Sequence, residues 1–123
     1  MSAKARLVGI TLDCPNPAEL AAFYQNALDF QVIYSDDNMA YLQGEGDMRL
    51  GLQKVQSTFK SPTWPEGDVP QQLHLELSVD DLTAGEEELV KLGATKADFQ
   101  PGADRWVVLL DPVGHPFCIT TAV

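Results

Sequence analysis

Residues 62–82 read Pro62-Thr-Trp-Pro-Glu-Gly-Asp-Val-Pro-Gln-Gln-Leu-His-Leu-Glu-Leu-Ser-Val-Asp-Asp-Leu82. This segment holds a proline-rich connector, a strand and the start of a helix, and the rest of the predicted fold is organised around it. Apolar and polar residues alternate in its strand, so they lie on opposite faces. The apolar set, which we expect to be buried, is Leu73, Leu75, Leu77 and Val79. The polar set, either a ligand-binding face or an ordinary solvated strand face, is His74, Glu76 and Ser78.

The segments on either side of the connector follow one plan: strand, helix, then three strands. Short apolar runs separated by Asp- and Gly-rich turns are typical of antiparallel strands. In the first half the pattern predicts strands at Leu7–Asp13, Phe30–Tyr34, Met39–Gln43 and Met48–Val55, with a helix from Pro17 to Leu28. In the second half it predicts strands at Gln72–Val79, Thr95–Phe99, Arg105–Leu110 and Pro116–Thr121, with a helix from Leu82 to Leu92.

Both predicted helices have recognisable ends. Asn16 can cap the first helix, Pro17 fits its first position, and Asp29 follows it where a left-handed residue is expected. Asp80 or Asp81 can cap the second helix, and Gly93 follows it as a stop signal.

The two halves therefore predict an internal repeat. In it, Gly9 corresponds to His74, Leu12 to Leu77 and Tyr24 to Leu89. The fold class expected is α+β, with two βαβββ repeats forming a cup-shaped mixed sheet and helices on the outer face. We expect a single domain over 1–123, with repeat one at 5–55, the connector at 56–71 and repeat two at 72–123. Either the two halves of one chain or a second chain would complete the cup.

Composition limits the partners. The 123 residues are 45% hydrophobic and carry a net charge of −10. Because no Lys/Arg cluster occurs, we expect no nucleic-acid partner, and because no apolar run is long enough, we expect no membrane partner. The beginning of the chain lacks a signal-peptide core, and Cys14 and Cys118 have no paired spacing, so we expect a cytoplasmic protein with two buried, reduced thiols.

Several motifs resemble the vicinal oxygen chelate superfamily, the glyoxalase/bleomycin-resistance/dioxygenase proteins. They are Ile10-Thr-Leu-Asp-Cys-Pro-Asn-Pro with Phe23-Tyr24, His74-Leu-Glu-Leu-Ser-Val-Asp-Asp-Leu82, Leu92-Gly-Ala94 and Asp111-Pro-Val-Gly-His-Pro-Phe-Cys118. Pro62-Thr-Trp-Pro65 before Gln71-Gln-Leu-His74 resembles the glyoxalase-like branch common in actinobacteria. The resemblance covers nearly the whole chain and implies a cup that holds a metal ion or a ligand.

In metal-using members of the superfamily, four side chains in the cup bind the ion. The resemblance places these positions at Gly9, Gln53 (or Gly51), His74 and Cys118. Glycine cannot ligate and an amide is a weak donor, so we expect no cofactor and read the metal centre as lost. If a divalent metal is present after all, its ligands are expected to be His74, Glu76 and Cys118.

The polar residues that remain on the predicted cup define the candidate site. The ligand-binding set is Thr11, Asp13, Arg49, Gln53, His74, Glu76, Trp106 and Cys118. Trp64 could close the mouth of the cup. Arg49 could equally pair with Glu76 or Asp13, Trp106 could be core, Cys118 could be an inert thiol, and His115 is expected to be a surface turn residue.

Two functions fit this site. The first is a metal-independent binder of a small or drug-like ligand, for which a flat cation would suit the acidic chain. The second is a lyase or isomerase of glyoxalase type, in which His74 and Glu76 act as catalytic acid and base, or Glu76 moves a proton beside a metal ion. We favour binding. The resemblance also implies a homodimer.

Overall fold

The computed structural model describes residues 4–121 and contains two helices and eight strands within them. The first half comprises β1 (Gly9–Cys14), α1 (Pro17–Leu28), β2 (Gln31–Ser35), β3 (Met39–Gln43) and β4 (Arg49–Lys54). The second half comprises β5 (Leu75–Ser78), α2 (Leu82–Leu92), β6 (Thr95–Lys96), β7 (Trp106–Leu110) and β8 (Pro116–Thr120).

The two halves have the same topology. Each forms a four-stranded mixed sheet, ordered β1-β4-β3-β2 in the first half and β5-β8-β7-β6 in the second. The first and last strands of each half are parallel, and the other pairs are antiparallel. The predicted α+β class and the βαβββ repeat are therefore confirmed.

The chain divides into two compact units, Met1–Phe59 and Lys60–Val123. The second unit includes most of the predicted connector. There the Ser61 hydroxyl donates to the carbonyl of Val113 at 2.6 Å, and the Ser61 side chain fills the space that a Cβ on Gly114 would need. The prediction of one domain with a shared cup stays a prediction.

In the first unit, α1 begins and ends as its sequence predicts. The Asn16 side chain accepts a hydrogen bond from the backbone N–H of Glu19 at 3.4 Å, and Asp29 has a left-handed φ of 55°. Such a cap stabilises a helix by about 1 kcal/mol. The helix buries Leu20, Phe23 and Tyr24 against β2, β3 and β4.

In the second unit, Asp81 is the residue that caps α2, through a bond from the N–H of Ala84 at 2.8 Å. Gly93 ends the helix as predicted and donates to the carbonyls of Leu89 and Val90. The helix packs on β6, β7 and β8, over the sheet face that carries the buried Phe117 and Ile119. The opposite face is left without a helix, and by the two-residue period it carries Cys118.

Two strands have one end that lies three residues from its predicted position. Strand β5 begins at Leu75 rather than Gln72, because its partner β8 begins at Pro116, whose nitrogen cannot donate to the ladder. The expected burial of the apolar set is wrong for Leu73, which is 60% exposed, and Leu75, Leu77 and Val79 are only half-buried. Strand β6 ends at Lys96 rather than Phe99. Beyond Lys96, the Gln100 side chain makes hydrogen bonds to β7 that a longer β6 would otherwise make. Its Oε1 accepts from the N–H of Val108 at 2.8 Å, and its Nε2 donates to the carbonyl of Val108 at 2.7 Å.

The other predicted boundaries agree with the structure to within two residues. Both cysteines are free and buried, as expected. No helix within residues 4–121 is long and apolar enough to cross a bilayer.

Candidate functional site

A cavity of about 430 Å³ opens on the helix-free face of the second sheet. Its walls come from β5, β7, β8, the segment before β5 and the loop between β6 and β7. The lining residues are Trp64, His74, Glu76, Pro101, Trp106, Cys118 and Thr120. Four of the eight predicted ligand-binding residues are therefore brought together in one unit, along with Trp64, which was predicted to close the mouth.

Strand register explains how these side chains meet. Glu76 pairs with Cys118 across the parallel β5–β8 ladder, and Trp106 pairs with Thr120 across the antiparallel β7–β8 ladder. Paired residues point to the same face of the sheet, so the side chains of these three strands lie next to one another. His74 lies one residue before β5, where the chain is already free of the ladder.

His74 and Glu76 form a loose pair. Nε2 of His74 lies 3.5 Å from Oε2 of Glu76, and the two side chains are 33% and 72% exposed. Exposure to water at this level leaves little net attraction between them. The Glu76 carboxylate is therefore available to a cationic group of a ligand without a buried ion pair having to be broken.

Cys118 is held as a neutral thiol. It is buried, and it packs with Ala97 and Val108 under Trp64 and Trp106. Burial raises the pKa of this thiol, and the negative charge of Glu76 raises it further. The side chain therefore offers the cavity an apolar, polarisable surface rather than a thiolate.

Two indoles form the aromatic walls. The Trp64 Nε1–H donates to the carbonyl of Phe99 at 3.0 Å, and the rings of these two residues lie 6.4 Å apart. The guanidinium of Arg105 lies 5.0 Å from the ring centre of Trp106. A Cβ on Gly102 would lie 2.5 Å from Trp106, so this wall requires a glycine there.

Sequence reasoning missed two lining residues. Thr120 could have been found, because it lies two residues after Cys118 on the same strand and so points to the same face. Its hydroxyl donates to the carbonyl of Arg105 at 3.3 Å. Pro101 carried no such signal, since it enters the cavity from an irregular loop.

The other four predicted residues belong to the helix-free face of the first sheet. Thr11 pairs with Gly51 and Asp13 with Gln53 in the β1–β4 ladder. The Nε–H of Arg49 does not bond Asp13, the carboxylate of its own unit that was considered for it. Its Nε–H instead donates to Oε1 of Gln43 at 3.1 Å.

His115 is a turn residue, as predicted, but it is partly buried rather than on the surface. The buried carboxylate of Asp111 organises this turn, accepting bonds from the N–H groups of Val113 and His115 at 3.0 Å each. The prediction that His115 is a turn residue is therefore right, and Asp111 fixes the backbone of His115 in that turn.

The residues of the second unit do not fit the divalent ion that the superfamily uses. His74 and Glu76 supply two donors, and the third, Cys118, has a raised pKa that disfavours the thiolate a metal would need. Over residues 4–121, no group of three or more His, Cys, Asp or Glu side chains is arranged to hold a metal ion.

Comparisons with known proteins agree with this architecture. A family model described as "Glyoxalase-like domain" matches residues 9–120. No curated protein sequence matches the chain. Among solved structures, a glyoxalase-related enzyme from Fulvimarina pelagi is 19% identical, with a TM-score of 0.67 over 94% of this chain and 86% of that one.

Two further solved structures carry names that refer to antibiotics. The fosfomycin resistance protein FosX from Mesorhizobium loti is 16% identical, with a TM-score of 0.67 over 100% of this chain and 94% of that one. A bleomycin-binding protein from Streptomyces verticillus, complexed with copper(II)-bleomycin, is 18% identical, with a TM-score of 0.62 over 99% of this chain and 100% of that one. At identities this low, the similarity to these structures shows a shared fold only.

Proposed function

The chain belongs to the glyoxalase-like family, and from this premise we propose that it binds a small molecule in the cavity of its second unit without the family's metal ion. The observation that carries the proposal is the composition of that cavity. Two indoles, a neutral thiol and an exposed carboxylate surround about 430 Å³, a volume suited to a small aromatic ligand.

The ligand we propose is flat and cationic. Trp64 and Trp106 offer aromatic surface for stacking, and the Glu76 carboxylate can meet a positive group. The net charge of −10 attracts cations to the molecule from a distance. The Streptomyces verticillus protein, which is similar in fold, is named for binding bleomycin, and this supports a drug-like ligand here.

The predicted ligand-binding residues of the first sheet stay a separate proposal, which does not place them around the cavity of the second unit. They are Thr11, Asp13, Arg49 and Gln53. Their contribution is tested separately by changing each one and measuring the affinity for the same probe.

The test compares 9-aminoacridine, a flat cation, with acridine, a flat molecule that is neutral at pH 7.5. Calorimetry and quenching of tryptophan fluorescence report binding. We expect 9-aminoacridine to bind more tightly, Glu76→Gln to remove that preference, and Trp106→Leu to weaken both probes. His115→Ala, which changes a turn outside the cavity, is the matched control.

Equal affinity for the two probes would overturn the cationic part of the proposal. Failure of both probes to bind, with the fold intact by circular dichroism, would overturn the aromatic cavity as the binding site. His74→Ala should weaken binding with little loss of stability. If that variant unfolds instead, His74 is a structural residue.

The absence of a resident metal is tested directly. We expect elemental analysis of untagged protein, before and after exposure to Zn²⁺, Ni²⁺, Mn²⁺ and Fe²⁺, to find far less than one ion per chain. Dialysis against a chelator should leave 9-aminoacridine binding unchanged. One tightly held ion per chain would contradict the proposal.

The second candidate function is a lyase or isomerase of glyoxalase type. It is favoured by the 3.5 Å separation of His74 and Glu76, which places a base and an acid within reach of one substrate. The hemithioacetal of methylglyoxal and glutathione is the substrate to assay. Turnover that is lost in both His74→Ala and Glu76→Gln would move the assignment from binding to catalysis.

A homodimer in the cytoplasm completes the proposal. Light scattering after gel filtration should report twice the 13.5 kDa of one chain. A mass of one chain at micromolar concentration would contradict the dimer and leave the binding proposal unaffected.

A further inference from the structure

A second cavity, of about 350 Å³, lies in the first unit beside the turn that joins β3 to β4. Its lining residues are Arg6, Val8, Gln43, Gly46, Asp47 and Arg49. We propose that this cavity binds a small carboxylate through the guanidinium of Arg49. The proposal does not depend on the function assigned to the second unit.

Arg49 is held in place by a neutral group. Its Nε–H donates to Oε1 of Gln43, its cross-strand partner, at 3.1 Å. Arg49 therefore keeps its full positive charge, and the bond occupies Nε only. The two terminal nitrogens remain as a pair of parallel donors, which is the geometry that matches a carboxylate.

The orientation of Gln43 is itself fixed. Its Nε2 donates to the carbonyls of Gly46 at 2.8 Å and Met48 at 3.2 Å, in the turn between β3 and β4. These bonds determine which end of the amide faces Arg49, because only the oxygen is left to accept. The arginine is thus oriented before any ligand arrives, which lowers the entropy lost on binding.

The charge around the cavity favours a monoanion. Arg6 lies 3.7 Å from Asp47, so one of the two guanidinium groups is offset by a carboxylate. Among the described residues of the first unit, no ion pair joins Arg49 to a carboxylate. The cavity therefore carries one net positive charge within a chain of net charge −10.

The cavity also has room beside the arginine. Gly46 lines it, and a Cβ on this residue would meet no atom within 4 Å. The φ of 69° at Gly46 lies in the left-handed region, so the turn itself favours a residue without a side chain there. Val8 adds an apolar wall that suits the hydrocarbon part of an organic acid.

The experiment is an NMR titration of the intact protein with sodium benzoate, read from the Arg49 Nε–H signal, against sodium chloride at equal ionic strength. Inorganic phosphate serves as a second anion. We expect a saturable shift with benzoate, a weaker effect of phosphate and none of chloride. Arg49→Gln should weaken benzoate binding about tenfold or more, since it removes both parallel donors.

Asp47→Asn is the decisive variant, because it raises the net charge of the cavity without touching Arg49. It should tighten benzoate binding several-fold. Asp37→Asn is the matched control: it makes the same charge change in the turn at the far end of β3 and should alter affinity less than about twofold, given screening at 0.15 M salt. Equal effects of the two variants, or no saturable shift in the unmodified protein, would overturn the proposal.

Discussion

The Cys118 thiol shows at the scale of one residue how surroundings determine chemistry. It lines the second-unit cavity, yet its pKa is raised by burial and then by the charge of Glu76. Because the thiolate is the reactive form, we expect Cys118 to remain unreactive at neutral pH although a small molecule can reach it.

Alkylation with iodoacetamide, followed by mass spectrometry of each cysteine peptide, tests this expectation. The rate of alkylation at Cys118 should rise only at a pH above that at which a free cysteine reacts. In the Glu76→Gln variant this pH should move part of the way back towards that of a free cysteine. Cys14, which is fully buried, should react more slowly still in the folded protein. A fast reaction of Cys118 at pH 7 would contradict the raised pKa.

The same raised pKa affects stability. A group whose protonated form is favoured in the folded state contributes stability below its unfolded pKa and loses it as pH rises through the folded one. Here the loss is expected in the alkaline range, above the ordinary thiol value of 9.0. Replacing Cys118 with Ser should flatten that part of the stability curve measured by urea unfolding.

At the scale of the element, the Gln100 side chain takes over the role of a strand. It bonds both the N–H and the carbonyl of Val108, and its Nε2 also donates to Ala97 at 2.8 Å. Gln100→Leu removes these bonds and takes from the Val108 N–H its Gln100 partner, while the Val108 carbonyl keeps its bond from the Ala97 N–H at 3.1 Å. We expect a loss on the order of 1–3 kcal/mol in the free energy of unfolding.

Urea unfolding followed by circular dichroism measures this loss. Gln56→Leu is the matched control, because that side chain is exposed and makes one long bond of 3.5 Å to Lys54. It should change stability by less than about 0.5 kcal/mol. Similar losses in the two variants would show that Gln100 does not stand in for a strand.

The elements also show what sequence could and could not predict. Helix caps are local features, so residue type and spacing predicted the cap at Asn16 and reduced the second to Asp80 or Asp81, of which the structure shows Asp81. The early end of β6 depends on a side chain four residues beyond it, and the late start of β5 depends on a proline in a partner strand 42 positions along the chain from His74. Such nonlocal pairings are invisible to periodicity.

The candidate site divides in the same way. Strand alternation placed His74 and Glu76 on one face, whereas Cys118 was included through the resemblance to the superfamily and Trp106 as a candidate aromatic wall. Pro101 and the pairing of Arg49 with Gln43 were not predictable, since one depends on an irregular loop and the other on the register between neighbouring strands. The first-unit cavity, for which we propose carboxylate binding, was missed for that reason.

At the scale of the whole molecule, the net charge of −10 should appear in the salt dependence of binding. Raising NaCl from about 50 to about 500 mM shortens the screening length roughly threefold. We therefore expect the affinity for 9-aminoacridine to fall several-fold, while that for acridine stays nearly constant. Parallel changes for the two probes in calorimetry would contradict a role for the overall charge.

Strand β2 has a consequence for self-assembly. It is the outer strand of the first sheet, and Val32, Ile33 and Tyr34 are 37%, 48% and 51% exposed. An unpaired backbone edge with apolar side chains can template the addition of further chains, as in amyloid. Here Val32 and Tyr34 pair with adjacent residues of β3, so Ile33 is an extra residue that interrupts the edge. An irregular edge pairs less readily with a further strand, so we expect a variant that lacks Ile33 to form fibres more readily in concentrated solution.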